Sequence, residues 1–312
     1  MFENELDARP EKHPVINLMV ILLMVALGFI IVGPLIGFFF ALPFYEGSMV
    51  QLAEAIQFPV NNPDIKVPLY IIQGFATLVG LIVAPALYLV REKKSVNDFF
   101  RRPGFELIPV MITAFVVIIF MAVNSIFIEW NEALNFPEFA KNFETWARDR
   151  EDTAAELTKF LTNFESTGEL MLALLIIAVL PAIGEELVFR GLIQNELFRG
   201  TKNIHVAIWI AAILFSAIHF QFFGFVPRLL LGALFGYIYY WSGNLTLAIL
   251  AHFVNNAVSV VAIYFYQRGT FTFDIESPES VPANVFIISA LLTAGLLYYL
   301  YKYFQDRKIV LH

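Results

Sequence analysis

Two adjacent carboxylates and a guanidinium lie in Pro181-Ala-Ile-Gly-Glu-Glu-Leu-Val-Phe-Arg190, inside a run apolar enough to lie in a membrane. Each ionisable group there costs roughly 2.5 to 3.5 kcal/mol on insertion scales, which makes it a candidate for function. At about 100° per residue, Glu186 and Arg190 share a helix face and can pair, whereas Glu185 lies about 140° from Arg190 and points elsewhere. A structural ion-pair network at a helix end is the bland alternative. Downstream, Phe215-Ser-Ala-Ile-His219 sets an imidazole one turn after a phenylalanine. His252-Phe-Val-Asn-Asn256 sets an imidazole and an amide one turn apart, with Asn255 also within reach of His252's face. Carboxylates and imidazoles are the side chains that move protons in acid–base catalysis. Taken alone, either histidine reads equally as a satisfied interior residue.

The elements that must position these groups are membrane spans. The 312 residues are 59% hydrophobic with a mean hydropathy of +0.70, well above an ordinary globular domain, so the fold class is an all-α polytopic membrane helix bundle. The absence of cysteine removes disulfides, thiolate metal sites and cysteine nucleophiles together. A net charge of -7, carried mainly by loops, says little about nucleic acid by itself but argues against a basic partner-binding surface, and no nucleic-acid partner is expected. Apolar runs at about Val15 to Pro43, Pro68 to Val90, Leu107 to Ile128, Gly168 to Ile193, Ile204 to Phe223, Pro227 to Trp241, Leu245 to Tyr266 and Ala283 to Phe304 predict eight spans. The first, after an acidic leader, is an uncleaved span with a kink expected at Pro34.

With eight spans both termini share a side, and most of the 20 lysines and arginines, led by Arg91 to Lys94 and Arg101-Arg102, fall on that side. Both termini are therefore expected in the cytoplasm. In the loop Asn131 to Thr167, apolar residues at three- and four-residue spacing predict two short amphipathic helices on the outer surface. Ser95-Val-Asn-Asp98 before Phe99-Phe100 predicts a capped interfacial helix on the inner side. Glu185 and His219 are equally far from the turn at Lys202, so an antiparallel hairpin would bring them to one depth, with His252 and Asn256 entering from the turn near Gly243. Gly232-Ala-Leu-Phe-Gly236 is a small-xxx-small pattern suited to close helix packing. The expected organisation is a leader (1–14), three spans with the amphipathic loop (15–167), a core of four spans (168–266), and a last span with its tail (267–312).

Three motifs in order, E-E-x-x-x-R at Glu185 to Arg190, F-x-x-x-H at Phe215 to His219 and H-x-x-x-N at His252 to Asn256, resemble the CPBP family of intramembrane proteases. This is the family of CAAX prenyl protease type II and of Abi-like bacteriocin-processing and self-immunity proteins. The resemblance covers roughly Gly168 to Tyr266, including the Gly232/Gly236 segment. It implies an endopeptidase in which Glu185 is the general base, His219 holds the water and shuttles its proton, and His252 with Asn256 forms the oxyanion site. Glu186 and Arg190 become a structural ion pair, and Asn255 remains the alternative amide. On this reading no cofactor is required, since a glutamate-activated water needs no ion. Glu185, His219 and His252 would be the ligands if a divalent metal such as zinc were held.

The partners implied are the lipid bilayer and a peptide or membrane-protein substrate, and the location implied is the inner membrane of a bacterium. Competing readings are a non-catalytic immunity or scaffold protein and a proton-coupled transporter. The transporter is disfavoured by the absence of a visible repeat. A zinc protease of the H-E-x-x-H type lacks its motif here.

Overall fold

The computed structural model describes residues 12–99, 106–270 and 281–308. Regular structure among the described residues is helical throughout. In chain order the helices are α1 (Pro14–Phe44), α2 (Met49–Ala55), α3 (Pro63–Arg91), α4 (Leu107–Glu132), α5 (Lys141–Leu161), α6 (Thr167–Thr201), α7 (Ile204–Ala217), α8 (Phe225–Ser242), α9 (Leu245–Gln267) and α10 (Ala283–Lys308). The protein is a polytopic membrane helix bundle, as its composition predicts. Six helices, α1, α3, α4, α6, α9 and α10, are long and apolar enough to cross a bilayer, while α7 is a shorter apolar helix.

Proline shapes the long helices. In α1, α3 and α6 a π-helical turn (Leu27–Val32, Leu78–Val83, Leu174–Val179) runs up to Gly33-Pro34, Ala84-Pro85 and Leu180-Pro181. Proline has no N–H for the carbonyl four residues back and crowds it, and a widened turn relieves the clash while re-routing the bonds. The interruption expected at Pro34 therefore takes the form of a π turn that recurs twice more.

Packing places α6 at the centre. Half of its most apolar window is buried, against 17% for α1 and for α10, and it touches α1, α3, α7, α8 and α9. Helix α3 meets α6 at Gly184, where a Cβ would lie 2.6 Å from Leu81 Cβ, so the residue before Glu185 must stay small. On the far side α4 contacts α8, α9 and α10. A single apolar core that includes Tyr88, Val116, Phe189, Phe215, Phe235 and Ala248 joins these helices.

Four expectations change. Helix α7 stops at Ala217 rather than Phe223, so at about 1.5 Å per residue it spans roughly 21 Å, short of the roughly 30 Å hydrocarbon core. Its end has a local cause. The His219 imidazole hydrogen-bonds the Phe215 carbonyl at 2.8 Å, the His219 N–H turns to Ser216, and Phe220 follows at φ +52°. The outer loop forms one amphipathic helix, α5, after a 3₁₀ turn at Glu138–Ala140, not two. The charged stretch Arg148 to Asp152 between the two apolar groups stays helical, so the break expected there does not occur. Residues Val96–Phe99 make only a 3₁₀ turn, with Ser95 Oγ accepting from the Asn97 N–H. Helix α2, capped by a reciprocal Ser48/Gln51 box, was not anticipated. The leader up to Glu11, Phe100 and Arg101-Arg102 lie outside the described residues.

Candidate active site

Helix α6 presents the diglutamate to α9 across the centre of the bundle. Glu186 and Arg190 stand one turn apart with Oε1 and Nη1 at 2.8 Å, their side chains 0% and 1% exposed. The second Arg190 nitrogen donates to the Gly232 carbonyl of α8 at 3.0 Å. The guanidinium also lies over the Phe215 ring at 4.7 Å and the Phe235 ring at 5.5 Å. A charge held this way, between a carboxylate, a carbonyl and two ring faces, is compensated inside a low-dielectric core.

The Gly232/Gly236 pair does two jobs. A Cβ on Gly232 would press Ala212 of α7 at 3.1 Å, and one on Gly236 would press Gln194 Oε1 and Ile208 at 2.9 Å. The close approach also offers both glycine carbonyls to α6, Gly232 to Arg190 and Gly236 to Gln194 Nε2 at 3.3 Å. Sequence reading singled out the glycines and Arg190 but not Gln194, whose i, i+4 spacing from Arg190 matches that of the glycines. It also passed over Asn195, whose amide donates to the Arg190 and Gly191 carbonyls where α6 makes its last π turn.

His252 reaches the diglutamate from α9. Its Nδ1 lies 2.8 Å from Glu186 Oε1, the oxygen that also meets Arg190, and its Nε2 lies 3.9 Å from Glu185 Oε2. A carboxylate facing an arginine accepts, so Nδ1 carries a proton and Nε2 is the nitrogen turned toward Glu185. Phe235 stacks on this ring at 5.3 Å and Phe215 meets it edge-on at 5.9 Å. His219 is fixed in the same tautomer, because its Nδ1 faces the Phe215 carbonyl. It sits on the turn after α7, within electrostatic reach of Glu185, His252 and Arg228. Glu185, His219 and His252 are thus brought to one neighbourhood. Arg228 of α8, absent from the sequence reading, donates to Gln221 Oε1 at 2.7 Å, and Gln221 donates in turn to Glu151 of α5.

Asn256, one turn along α9 from His252, bonds the backbone of α6. Its Nδ2 donates to the Ile177 carbonyl of α6 at 3.0 Å, and its Oδ1 accepts from Asn255 at 3.1 Å. Asn255 lines a cavity of about 340 Å³ between α4, α5, α8 and α9, whose wall also holds Glu132, Glu151 and Arg228.

As metal ligands the two imidazoles are oriented well, since each donates its other ring N–H to a carboxylate or carbonyl. Their spacing is less suited. Two ligands on a tetrahedral zinc sit roughly 3.3 Å apart by its bond lengths, and the 3.9 Å between His252 and Glu185 exceeds that. Among the described residues no three histidine, aspartate or glutamate side chains are gathered closely enough to hold an ion.

A membrane helix bundle with an acid–base cluster on three neighbouring elements is the class of protein that fold and site define. Residues 167–258 match the family model described as type II CAAX prenyl endopeptidase Rce1-like. That segment contains Glu185, Glu186, Arg190, His219, His252 and Asn256, so the resemblance read from the motifs holds over it. The chain is also similar to an uncharacterized protein of Bacillus subtilis (strain 168), YpbD, with 31% identity over 112 residues, 34% of this chain and 54% of that protein. It therefore spans about half the length of the curated relative it matches. No solved structure matches the chain.

Proposed function

We propose that this protein is an intramembrane endopeptidase in which Glu185 activates a water to hydrolyse peptide bonds of membrane-associated or prenyl-type substrates. The observation that carries the reading is the chain of contacts Arg190–Glu186–His252, which fixes the imidazole so that Nε2 faces Glu185. The family match over 167–258 supports the same reaction class. Glu185 accepts a proton from water, the oxygen bonds to the scissile carbonyl carbon, and the C–N bond breaks as that proton passes to the leaving amine. His219 Nε2, bearing a lone pair, accepts the water's other hydrogen and orients it. His252 donates to the developing oxyanion only when Nε2 is also protonated, with Glu186 as counter-ion to the imidazolium.

No metal enters these steps. A strong chelator should leave the activity of purified protein unchanged; activity lost on chelation and recovered with stoichiometric zinc, together with loss of ion binding in Glu185→Gln, would make Glu185 a ligand instead. Both termini are assigned to the cytoplasmic face of a bacterial plasma membrane, and reporters fused to each end should read cytoplasmic. The substrate is sought by comparing membrane proteomes of cells carrying active protein and Glu185→Gln. New C-termini with the active form alone are expected; identical termini in both would favour a non-catalytic scaffold or immunity role.

A further inference from the structure

Pro181 stands one helical turn before Glu185 in α6. In an α-helix the N–H of residue 181 would bond the Ile177 carbonyl, and proline has none to give. The backbone just ahead has already left the α register, with the Leu180 N–H bonded to the Leu175 carbonyl five residues back. A carbonyl without a partner inside hydrocarbon is costly, and a side chain from a neighbouring helix is one of the ways such a group is satisfied. Asn256 is that neighbour, with Nδ2 at 3.0 Å from the Ile177 oxygen. Its orientation is set from the other side, since Asn255 Nδ2 donates to Asn256 Oδ1, which leaves the amide nitrogen aimed at α6.

We infer that Asn256 is a positioning residue for Glu185: its amide replaces the hydrogen bond that Pro181 cannot make and ties α9 to the break in α6 one turn before the reactive carboxylate. One turn separates His252 from Asn256 on α9, as one turn separates Pro181 from Glu185 on α6. The two helices are therefore clamped at two levels, at Ile177 by Asn256 and at Glu186 by His252. The lower clamp orients the imidazole and the upper one sets where Glu185 stands against it. The kinetic part of this inference rests on the proposed peptidase reaction, while the hydrogen-bond substitution does not.

The test is a double-mutant cycle on the full chain in lipid nanodiscs, comparing wild type, Asn256→Ala, Pro181→Ala and the double variant. Two quantities are read, the thermal unfolding midpoint and kcat per folded molecule on a membrane-anchored peptide. In the wild-type background Asn256→Ala should lower the midpoint and reduce kcat by about tenfold, equivalent to about 1.4 kcal/mol in the barrier, with KM little changed. With alanine at 181 the backbone N–H is restored, and the same Asn256→Ala change should then cost little in either quantity. Equal losses of stability in both backgrounds overturn the inference. A kcat loss that persists undiminished after Pro181→Ala, with stability recovered, makes Asn256 an oxyanion donor instead and equally overturns it. If Pro181→Ala does not fold, Asn256→Asp decides, since it keeps the shape but offers no N–H; wild-type stability in that variant contradicts the proposal. If no variant cleaves peptide, the stability cycle still decides this inference and the peptidase reading alone fails.

Discussion

Among the described residues the same local pattern, a glutamate four residues before an arginine, occurs twice with different surroundings. On α6, Glu186 and Arg190 meet at 2.8 Å with side chains 0% and 1% exposed. On α5, Glu144 and Arg148 meet at 3.0 Å with the arginine 41% exposed. The inner pair is held by α8 and α9 through Gly232 and His252. The outer one belongs to a surface network in which Glu144 also receives Lys141 and the Phe136 N–H, while Arg148 covers the Phe223 ring. Helix spacing makes both pairs possible. The dielectric around each decides whether removing one partner leaves a charge that water can reach.

The comparison breaks first at Arg190. Arg190→Ala strands the Glu186 carboxylate in the core and should cost about 3 to 5 kcal/mol, seen as a collapse of folded protein on size exclusion in detergent. Near-normal yield would mean that Glu186 is protonated or otherwise satisfied without the arginine. Arg148→Ala should lower the unfolding midpoint far less than Arg190→Ala, because the arginine is 41% exposed and Glu144, itself only 4% exposed, keeps Lys141 and the Phe136 N–H as partners. A loss approaching that of Arg190→Ala would show that α5 is a structural strut rather than a surface arm.

The smallest effects are those of solvent conditions, and they should fall on the outer network alone. Lys141, the Phe136 N–H and Arg148 hold the Glu144 carboxyl down to about 2, from an ordinary 4.5. A depressed carboxylate contributes stability that is fully present above its ordinary value and is lost as pH falls toward the folded one. Protease sensitivity within 141–161 should therefore rise between about pH 4.5 and 2, before the membrane core loosens. Raised salt should weaken Glu144–Arg148 and leave Glu186–Arg190 untouched. Equal salt sensitivity of the two segments would contradict the contrast in burial.

Why the sequence disclosed some of this and not the rest follows from what each feature depends on. The long spans were legible because a run of apolar residues has one solution in a bilayer. The pairing of Glu186 with Arg190 was readable because i, i+4 geometry is local. The end of α7 was not, because it depends on an imidazole taking the Phe215 carbonyl, while apolar residues continue on both sides of His219 and Gln221 as far as Phe223. The contact of His252 with Glu186 joins residues 66 apart, and no spacing rule expresses it; sequence pattern could bring the imidazole only near the diglutamate. Pro181 was visible, and the question of what replaces its missing hydrogen bond could have been asked from the sequence. Its answer, Asn256, needed the helices to be docked.

Two neighbouring glutamates divide the labour, Glu185 for the reaction and Glu186 for the fold, and one paired measurement tests that division. Glu185→Gln and Glu186→Gln are each purified in detergent, the folded fraction is measured by size exclusion, and cleavage of a reconstituted membrane-anchored peptide is followed by mass spectrometry. Glu185→Gln should give wild-type folded protein with cleavage abolished, and Glu186→Gln should lose folded protein because the buried Arg190 loses its counter-ion. Cleavage retained by folded Glu185→Gln, or equal loss of folded protein in both variants, would contradict it.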